Sequence, residues 1–306
     1  MPGRGLQLAP KKGFRVLWKS RETRTAYLFL LPVLVYFAIM LFYPMCYSFY
    51  LSFTEWDMLS PSPEFIGLEN YREAFDDPVF WISLKNTFSY VLYTVPATVI
   101  LALCLALALN QVKVLSGLFR AAYFMPVVTS AVVVSIIWKW LYQPNLGLIN
   151  IIFGSLGIPR MSFLESTSQV MPSIAAMSVW KGAGYSMVIF LAGLQDIPNY
   201  LYEAAAIDGA SGWKLFRYIT LPLLKNTTLF ITVTSLISAF QVFTEPYILT
   251  KGGPVHSSRV LVLYIQETAF DYLQLGYGAA MVFVLFLIIM VITAIQLVAF
   301  RSRVEF

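Results

Sequence analysis

Histidine, cysteine and charge are all scarce in this chain of 306 residues, and each shortage closes off a class of chemistry. One histidine, His256, and two separated cysteines, Cys46 and Cys104, cannot assemble a His/Cys metal cluster, so no metal site is expected. Both cysteines fall inside long apolar runs, where they read as small buried side chains rather than a disulfide framework. No Gly-Lys pair occurs, which removes the G-x-x-x-x-G-K-[ST] phosphate loop and any recognisable ATP site. No nucleophile and base stand out as a pair, so no catalytic residue is assigned. Charged residues make up 12% of the chain, about half the soluble norm of roughly 25%, while 58% is hydrophobic. An integral membrane protein is expected. Its net charge of +5 then reflects orientation and attraction to anionic lipid rather than nucleic-acid binding.

Six apolar windows are long enough to cross a hydrocarbon core about 30 Å thick. Five carry no charge: Thr25 to Thr54, Asn86 to Val112, Ala121 to Trp138, Asn226 to Thr244 and Tyr272 to Phe300. The sixth, Val170 to Gln195, contains Lys181 alone. Alternating strands of a β-barrel would interrupt such runs, so an all-α fold of six transmembrane helices is predicted, each pairing its own backbone groups. The first run exceeds a signal-peptide core and is expected to stay as an anchor.

Lys and Arg orient the helices. The tail holds Arg4, Lys11, Lys12, Arg15, Lys19, Arg21 and Arg24 against Glu22, which keeps residues 1–25 cytoplasmic as a basic tail. Six crossings return residues 301–306 to the same side, an N-in/C-in topology. Residues 26–300 then form the membrane domain, and Lys113, Arg120, Lys214, Arg217, Lys225, Arg301 and Arg303 also lie inside. Between helices one and two, seven acids (Glu55, Asp57, Glu64, Glu69, Glu73, Asp76, Asp77) face two bases, Arg72 and Lys85, as suits an outer segment. Residues 143–169 and the stretch LTKGGPVHSSR are glycine- and proline-rich, read as outer loops, and are candidate docking surfaces. The belt-like Trp138, Lys139 and Trp140 sit near the first of them.

One polar island, residues 196–222, interrupts the predicted inner side. Pro198 suits a first helical turn, with Asp196 or Asn199 near enough to cap it, and Tyr200 to Ile207 then form a short helix. Ala204, Ala205 and Ala206 give it little bulk, and Gly209 ends it with a left-handed backbone. Ser211 is placed to cap a second short helix, Gly212 to Tyr218, before Pro222 opens the fifth membrane helix. Two short helices with a bend between them are expected, a lever joined to helices four and five. Glu203 and Asp208 lie five residues apart, which does not align them as an acid–base pair on one face.

Glu203-Ala204-Ala205, then Gly209, then Ile219-x-Leu221-Pro222 resembles the EAA loop of binding-protein-dependent ABC importer permeases. FIGLENYREAF at 65–75, YFMPVVTSAVVVSIIWKWLYQPNLGLIN at 123–150, FLAGLQDIPNYLYEAAAIDGAS at 190–211 and ILTKGGP at 248–254 are similar to the sugar, oligosaccharide and glycerol-phosphate branch. The shorter six-helix form of the maltose-type subunit is the better match, since there are no extra N-terminal helices and no large periplasmic insertion. The resemblance implies a type I ABC importer permease fold and a multi-pass subunit in the inner membrane of a prokaryote. It implies that Glu203, Ala204, Ala205, Asp208, Gly209, Ile219, Leu221 and Pro222 couple the chain to a cytoplasmic ATPase. Two ATPase copies would bind ATP and Mg, this chain holding no cofactor. A second permease subunit of different sequence would complete the pore, and an extracytoplasmic sugar-binding protein would deliver carbohydrate.

Polar groups within membrane helices are costly and hence functional candidates. Lys181 and Tyr185 share a face at i, i+4, and Gln241 and Glu245 form a similar pair, with Phe240, Phe243, Thr244 and Tyr247 at helical spacing. Such a mixture suits a sugar, which needs aromatic faces and hydrogen-bonding groups together. The plainer alternatives are a Lys181 that snorkels to the headgroups and aromatics of an interfacial belt. An ion-coupled secondary transporter is the rival class, and would show broken helices and buried carboxylates.

Overall fold

The computed structural model describes residues 21–57, 59–112 and 114–299, with side chains from residue 24 onward. The bases between Arg4 and Lys19, together with Lys113, Arg301 and Arg303, lie outside the described residues. The described chain is almost wholly helical and divides into two units. In the first, α1 (Arg21–Phe37) passes through one π-helical turn, Ala38–Phe42, into α2 (Tyr43–Leu51). Arg24–Leu51 is long and apolar enough to cross a membrane.

The second unit begins at Ser52. A two-residue antiparallel pair, β1 (Thr54–Glu55) with β2 (Glu64–Phe65), leads to the short helix α3 (Glu69–Asp76). Asn70 of α3 is buried and donates from Nδ2 to the carbonyls of Ser52 (3.1 Å) and Thr54 (2.9 Å), tying the acidic segment down. Helix α4 (Pro78–Gln111) follows. Asp77 caps it by accepting from the Val79 backbone N–H at 2.7 Å, and Pro78 occupies the first turn, where its missing N–H costs nothing. The same carboxylate accepts from the hydroxyls of Tyr264 (2.5 Å) and Tyr277 (2.9 Å), and burial with this partner pushes the Tyr264 phenol up to about 12.

The third window is not one straight helix. It divides into α5 (Ser116–Val128) and α6 (Ala131–Leu141), bent by 95°. Pro126 lacks the N–H that would bond one turn back, and Thr129 takes an extended backbone, so the helical ladder stops there. Residues 143–169 are also less loop-like than their glycines suggest, because α7 (Leu148–Ser155) forms within them. Buried Asn150 clamps that segment through the Pro144 and Met161 carbonyls and the Met161 N–H. Tyr142, after α6, donates to the Ser173 carbonyl at 2.7 Å. Trp138 packs on Tyr142 and Trp180, while Trp140 stays exposed.

Helix α8 (Val170–Gln195) is the central span, and it runs against α4 along most of its length. The buried residues of α4 mix small or hydroxyl side chains, Ser83, Thr87, Thr94, Thr98, Ala102 and Ala106, with larger ones, Phe80, Leu84, Tyr90, Val95 and Leu109. Cys104 lies on the other face of α4 and is exposed, as Cys46 is on α2, so neither is the buried side chain expected. Gly184 of α8 makes a still closer contact, since a Cβ there would stand 2.0 Å from the Tyr123 carbonyl oxygen of α5.

After α8 come α9 (Asn199–Ile207), α10 (Trp213–Leu215), a π-turn at Phe216–Thr220 and α11 (Leu221–Leu223). Helix α12 (Lys225–Phe240) then leaves at 65°. It ends before the fifth window does. Gln241 to Phe243 are non-helical, and a separate helix, α13 (Thr244–Thr250), resumes beyond them. Pro246 carries no N–H for the Val242 carbonyl, which is why one continuous helix does not form. Gln241 and Glu245 are therefore not neighbours on a single helix face.

The loop after α13 is fastened to α4, where Asn86 donates from Nδ2 to the carbonyls of His256 (2.7 Å) and Arg259 (3.0 Å). Thr87 accepts from the Leu261 N–H at 2.8 Å, starting α14 (Leu261–Gln266). A π-turn, Glu267–Asp271, precedes α15 (Leu275–Ala299). Gly276 at its start lies so close to the Thr54 carbonyl that a Cβ would be 1.9 Å from it.

Four single helices and two bent pairs together give up to six crossings, as the windows predict. Among the described residues no α5 side chain is fully buried, and on α15 the fully buried residues end at Leu285, with Ile288, Ile289 and Ile292 partly buried against the core. Replacing Gly184 by Leu is expected to force α5 from α8 and lower the midpoint of thermal unfolding in detergent by several degrees, from a loss of about 1–3 kcal/mol. Gly182→Leu, whose Cβ would meet nothing within 4 Å, should melt close to the parent chain.

Candidate functional site

The polar island folds into an elbow at one end of α8. Helix α9 starts one residue earlier than expected, at Asn199, and neither Asp196 nor Asn199 caps it with a side chain. Its end follows the glycine reading. Gly209 has φ +78°, its N–H bonds to the Ala206 carbonyl at 3.0 Å, and the Ala210 N–H reaches back to Ala205 at 2.9 Å. These two bonds are the Schellman pattern, which requires a left-handed residue at that position. A Cβ on Gly209 would meet no atom within 4 Å, so the cost of a side chain there is in the backbone alone.

The second arm differs from the expectation. Ser211 makes no side-chain cap, and Gly212, with φ +47°, occupies the N-cap of α10 instead. Pro222 sits in α11, and the change of direction falls at Leu224. Across the elbow, the Tyr202 and Thr220 hydroxyls are hydrogen-bonded at 3.1 Å and brace one arm on the other.

Glu203, Ala204, Asp208, Gly209 and Pro222 are exposed, while Ala205, Ile219 and Leu221 are half-buried. Glu203 has no ion pair among the described residues. Large apolar side chains stand out on the same element, with Ile207 87% and Trp213 72% exposed and Tyr200 and Tyr218 similarly bare. Apolar groups gathered on a polar connector are the kind of surface that a protein partner or lipid can cover. Sequence reasoning passed over these four side chains, although their crowding into one polar island was visible.

The elbow is seated on the membrane helices through Gly193. A Cβ there would lie 2.7 Å from Thr227 Oγ1 and 3.1 Å from Leu224 Cδ2, so the end of α8 rests directly on the bend into α12.

A cavity of about 380 Å³ opens midway along α4 and α8. Two separate apolar clusters flank it. The cluster on the far side from the elbow includes Phe80, Leu84, Ile174 and Met177, and the nearer one includes Ala102, Ala106, Met187 and Phe190. Between them the lining turns polar, with Tyr90, Thr94 and Thr98 of α4, Ser178, Lys181, Tyr185 and Ser186 of α8, Thr234, Ser235 and Ser238 of α12, and Gln241, Thr244 and Glu245 around the helix break. Lys181, Tyr185, Gln241 and Glu245 thus meet in one cavity. Tyr247 does not line it, and stacks instead on Phe243 at 5.2 Å. Apart from Thr244, the serines and threonines were not singled out in the sequence, since their meeting depends on helix packing. Thr94 and Thr234 satisfy their protons on the carbonyls of Tyr90 and Phe230, leaving hydroxyl lone pairs toward the space.

At the end opposite the elbow, a cleft of about 680 Å³ is lined by Gln143, Pro144, Leu164 and Glu165 from one predicted outer loop and by Thr250, Gly253 and Pro254 from the other. The two candidate docking segments meet there.

An elbow presented beyond the membrane helices, a polar cavity at mid-depth and a cleft at the other end define a transport subunit. Residues 25–304 match the family described as binding-protein-dependent transport system inner membrane component, and the chain belongs to that family. It is 35% identical, over 91% of each chain, to the sulfoquinovosyl glycerol transport system permease protein SmoG of Agrobacterium fabrum. The lactose transport system permease protein LacF of Rhizobium radiobacter is 35% identical, over 90% of this chain and 94% of that one. The fold is similar to a chain in the crystal structure of a bacterial ABC transporter that imports the acidic polysaccharide alginate, with TM-score 0.82 and 24% identity over 95% of this chain and all of that one. The all-α, multi-pass type I importer permease fold follows.

Gly193→Leu is expected to separate α8 from the bend at Leu224. Transport should fall by about tenfold or more, while Tyr202→Phe, which removes one hydrogen bond worth about 1 kcal/mol, should cost less. Uptake measured beside thermal melting of the purified chain distinguishes loss of coupling from loss of fold.

Proposed function

We propose that this chain is one of two permease subunits forming the pore of an ATP-driven carbohydrate importer in a prokaryotic inner membrane. The observation that carries the reading is the braced elbow of residues 199–223, with Glu203 and a set of bare aromatic and aliphatic side chains offered to a partner. Glu203, Ala204, Ala205, Asp208 and Gly209 would sit in a groove of a cytoplasmic ATPase, and Ile219, Leu221 and Pro222 would carry its movement into α12. The sugar names of related permeases and the hydroxyl-lined cavity support carbohydrate as cargo. Residues 1–25 and 301–306 are then cytoplasmic, and the cleft between residues 143 and 254 receives the sugar-binding protein.

In the cycle, ATP bound by the two ATPases draws them together and opens the pore to the outside, and hydrolysis returns it to the inside. Such a switch requires the ATPase to hold the elbow with different affinity in the two states. The break at Gln241 to Phe243 is a feature that ion-coupled transporters also use at a binding site, where bent backbone lines a cavity. The elbow is what favours an ATPase-driven machine over that rival.

Purified with its companions and reconstituted into liposomes, the chain should support sugar uptake that requires ATP. Uptake driven by an ion gradient with no ATPase present would overturn the reading. Gly209→Val, at a backbone cost of roughly 1–2 kcal/mol, and Glu203→Lys should both leave membrane insertion intact. ATPase recovered with the tagged chain should fall by about tenfold, the equivalent of ~1.4 kcal/mol. Normal recovery and transport in both variants would remove the coupling role.

A further inference from the structure

The cavity lining carries two side chains of opposite charge, Lys181 and Glu245. Glu245 stands in α13, just beyond the helix break. Lys181 stands in the interior of α8, about 16 Å from its first residue and clear of both helix ends. It makes no hydrogen bond or ion pair with any described residue, and although it shares the lining with Glu245 the two do not pair. The nearest lining residues along α8, Ser178, Tyr185 and Ser186, are neutral. Holding an ammonium within a membrane-spanning segment is costly, and a ligand that supplies an anion recovers part of that cost. A sugar hydroxyl returns only a neutral hydrogen bond, whereas a carboxylate or sulfonate returns a charge-assisted one, roughly twice as strong.

We propose that Lys181 makes this cavity selective for carbohydrates bearing an anionic group, with the surrounding hydroxyls taking the neutral part of the sugar. The proposal rests on the reading above that carbohydrate passes through this cavity. Lys181 is then a specificity-determining residue, distinct from the elbow residues that couple transport to ATP.

The test uses the complete importer, purified with its companions in lipid nanodiscs, and matched sugars that differ in charge alone. Disaccharides of glucose and of galactose are each compared with their glucuronate or galacturonate counterpart by direct binding. The acidic member of a pair should bind about tenfold more tightly, by the margin of a charge-assisted over a neutral hydrogen bond. Lys181→Gln should erase that difference, weakening the acidic member by about tenfold more than the neutral one, and Lys181→Arg should retain it. Equal binding of neutral and acidic sugars by the parent importer would overturn the proposal. Equal weakening of both by Lys181→Gln would also overturn it, and would assign Lys181 to a contact with the companion subunit. Failure of every sugar, neutral and acidic, to bind would overturn both the proposal and the carbohydrate reading beneath it.

Discussion

Everything in the larger unit depends on how closely α4 and α8 pack. In a bilayer, apolar side chains gain little by leaving lipid for protein, so helices associate through close fit and hydrogen bonds. Small side chains such as Ala102 and Ala106 allow that fit on α4, and Gly184 allows it where α8 meets α5. Ala102 and Ala106 are fully buried, and so are Ser83 and Thr87, although none is large. Added bulk at Ala102 or Ala106 would force the neighbouring helices apart.

The cavity is where this packing changes character. Both apolar clusters use α4, α8 and α12, and on α8 neither includes the stretch between Met177 and Met187. Hydroxyls there satisfy themselves on their own helices, as Thr94 and Thr234 do, and so can line a space without a desolvation penalty. The unwound residues 241–243 widen the same space. Backbone freed from a helix at membrane depth is tolerated only beside protein or water, and a polar cavity meets that condition.

Mechanical continuity runs from the elbow to the cavity through few joints. Gly193 rests on Leu224 and Thr227, the Tyr202–Thr220 bond braces the two arms, and α12 leads from the bend at Leu224 to the break at Gln241. A partner that moved the elbow would therefore act on a cavity wall along one helix.

The sequence by itself determined the membrane class, the count of six apolar segments and the elbow with its glycine. Apolar length and the left-handed demand at Gly209 are local properties, written in consecutive residues. Pro126 lies inside the third apolar window, which was read as one crossing by its length, and Pro246 lies two residues beyond the fifth. The α7 helix within residues 143–169 was hidden for the opposite reason, its glycines being read as loop. Only the tertiary structure decided that Lys181, Tyr185, Gln241 and Glu245 share one cavity while Tyr247 does not, and that two outer loops form one cleft. Those meetings depend on how α4, α8 and α12 pack and where α12 stops, and no short window of sequence carries that information.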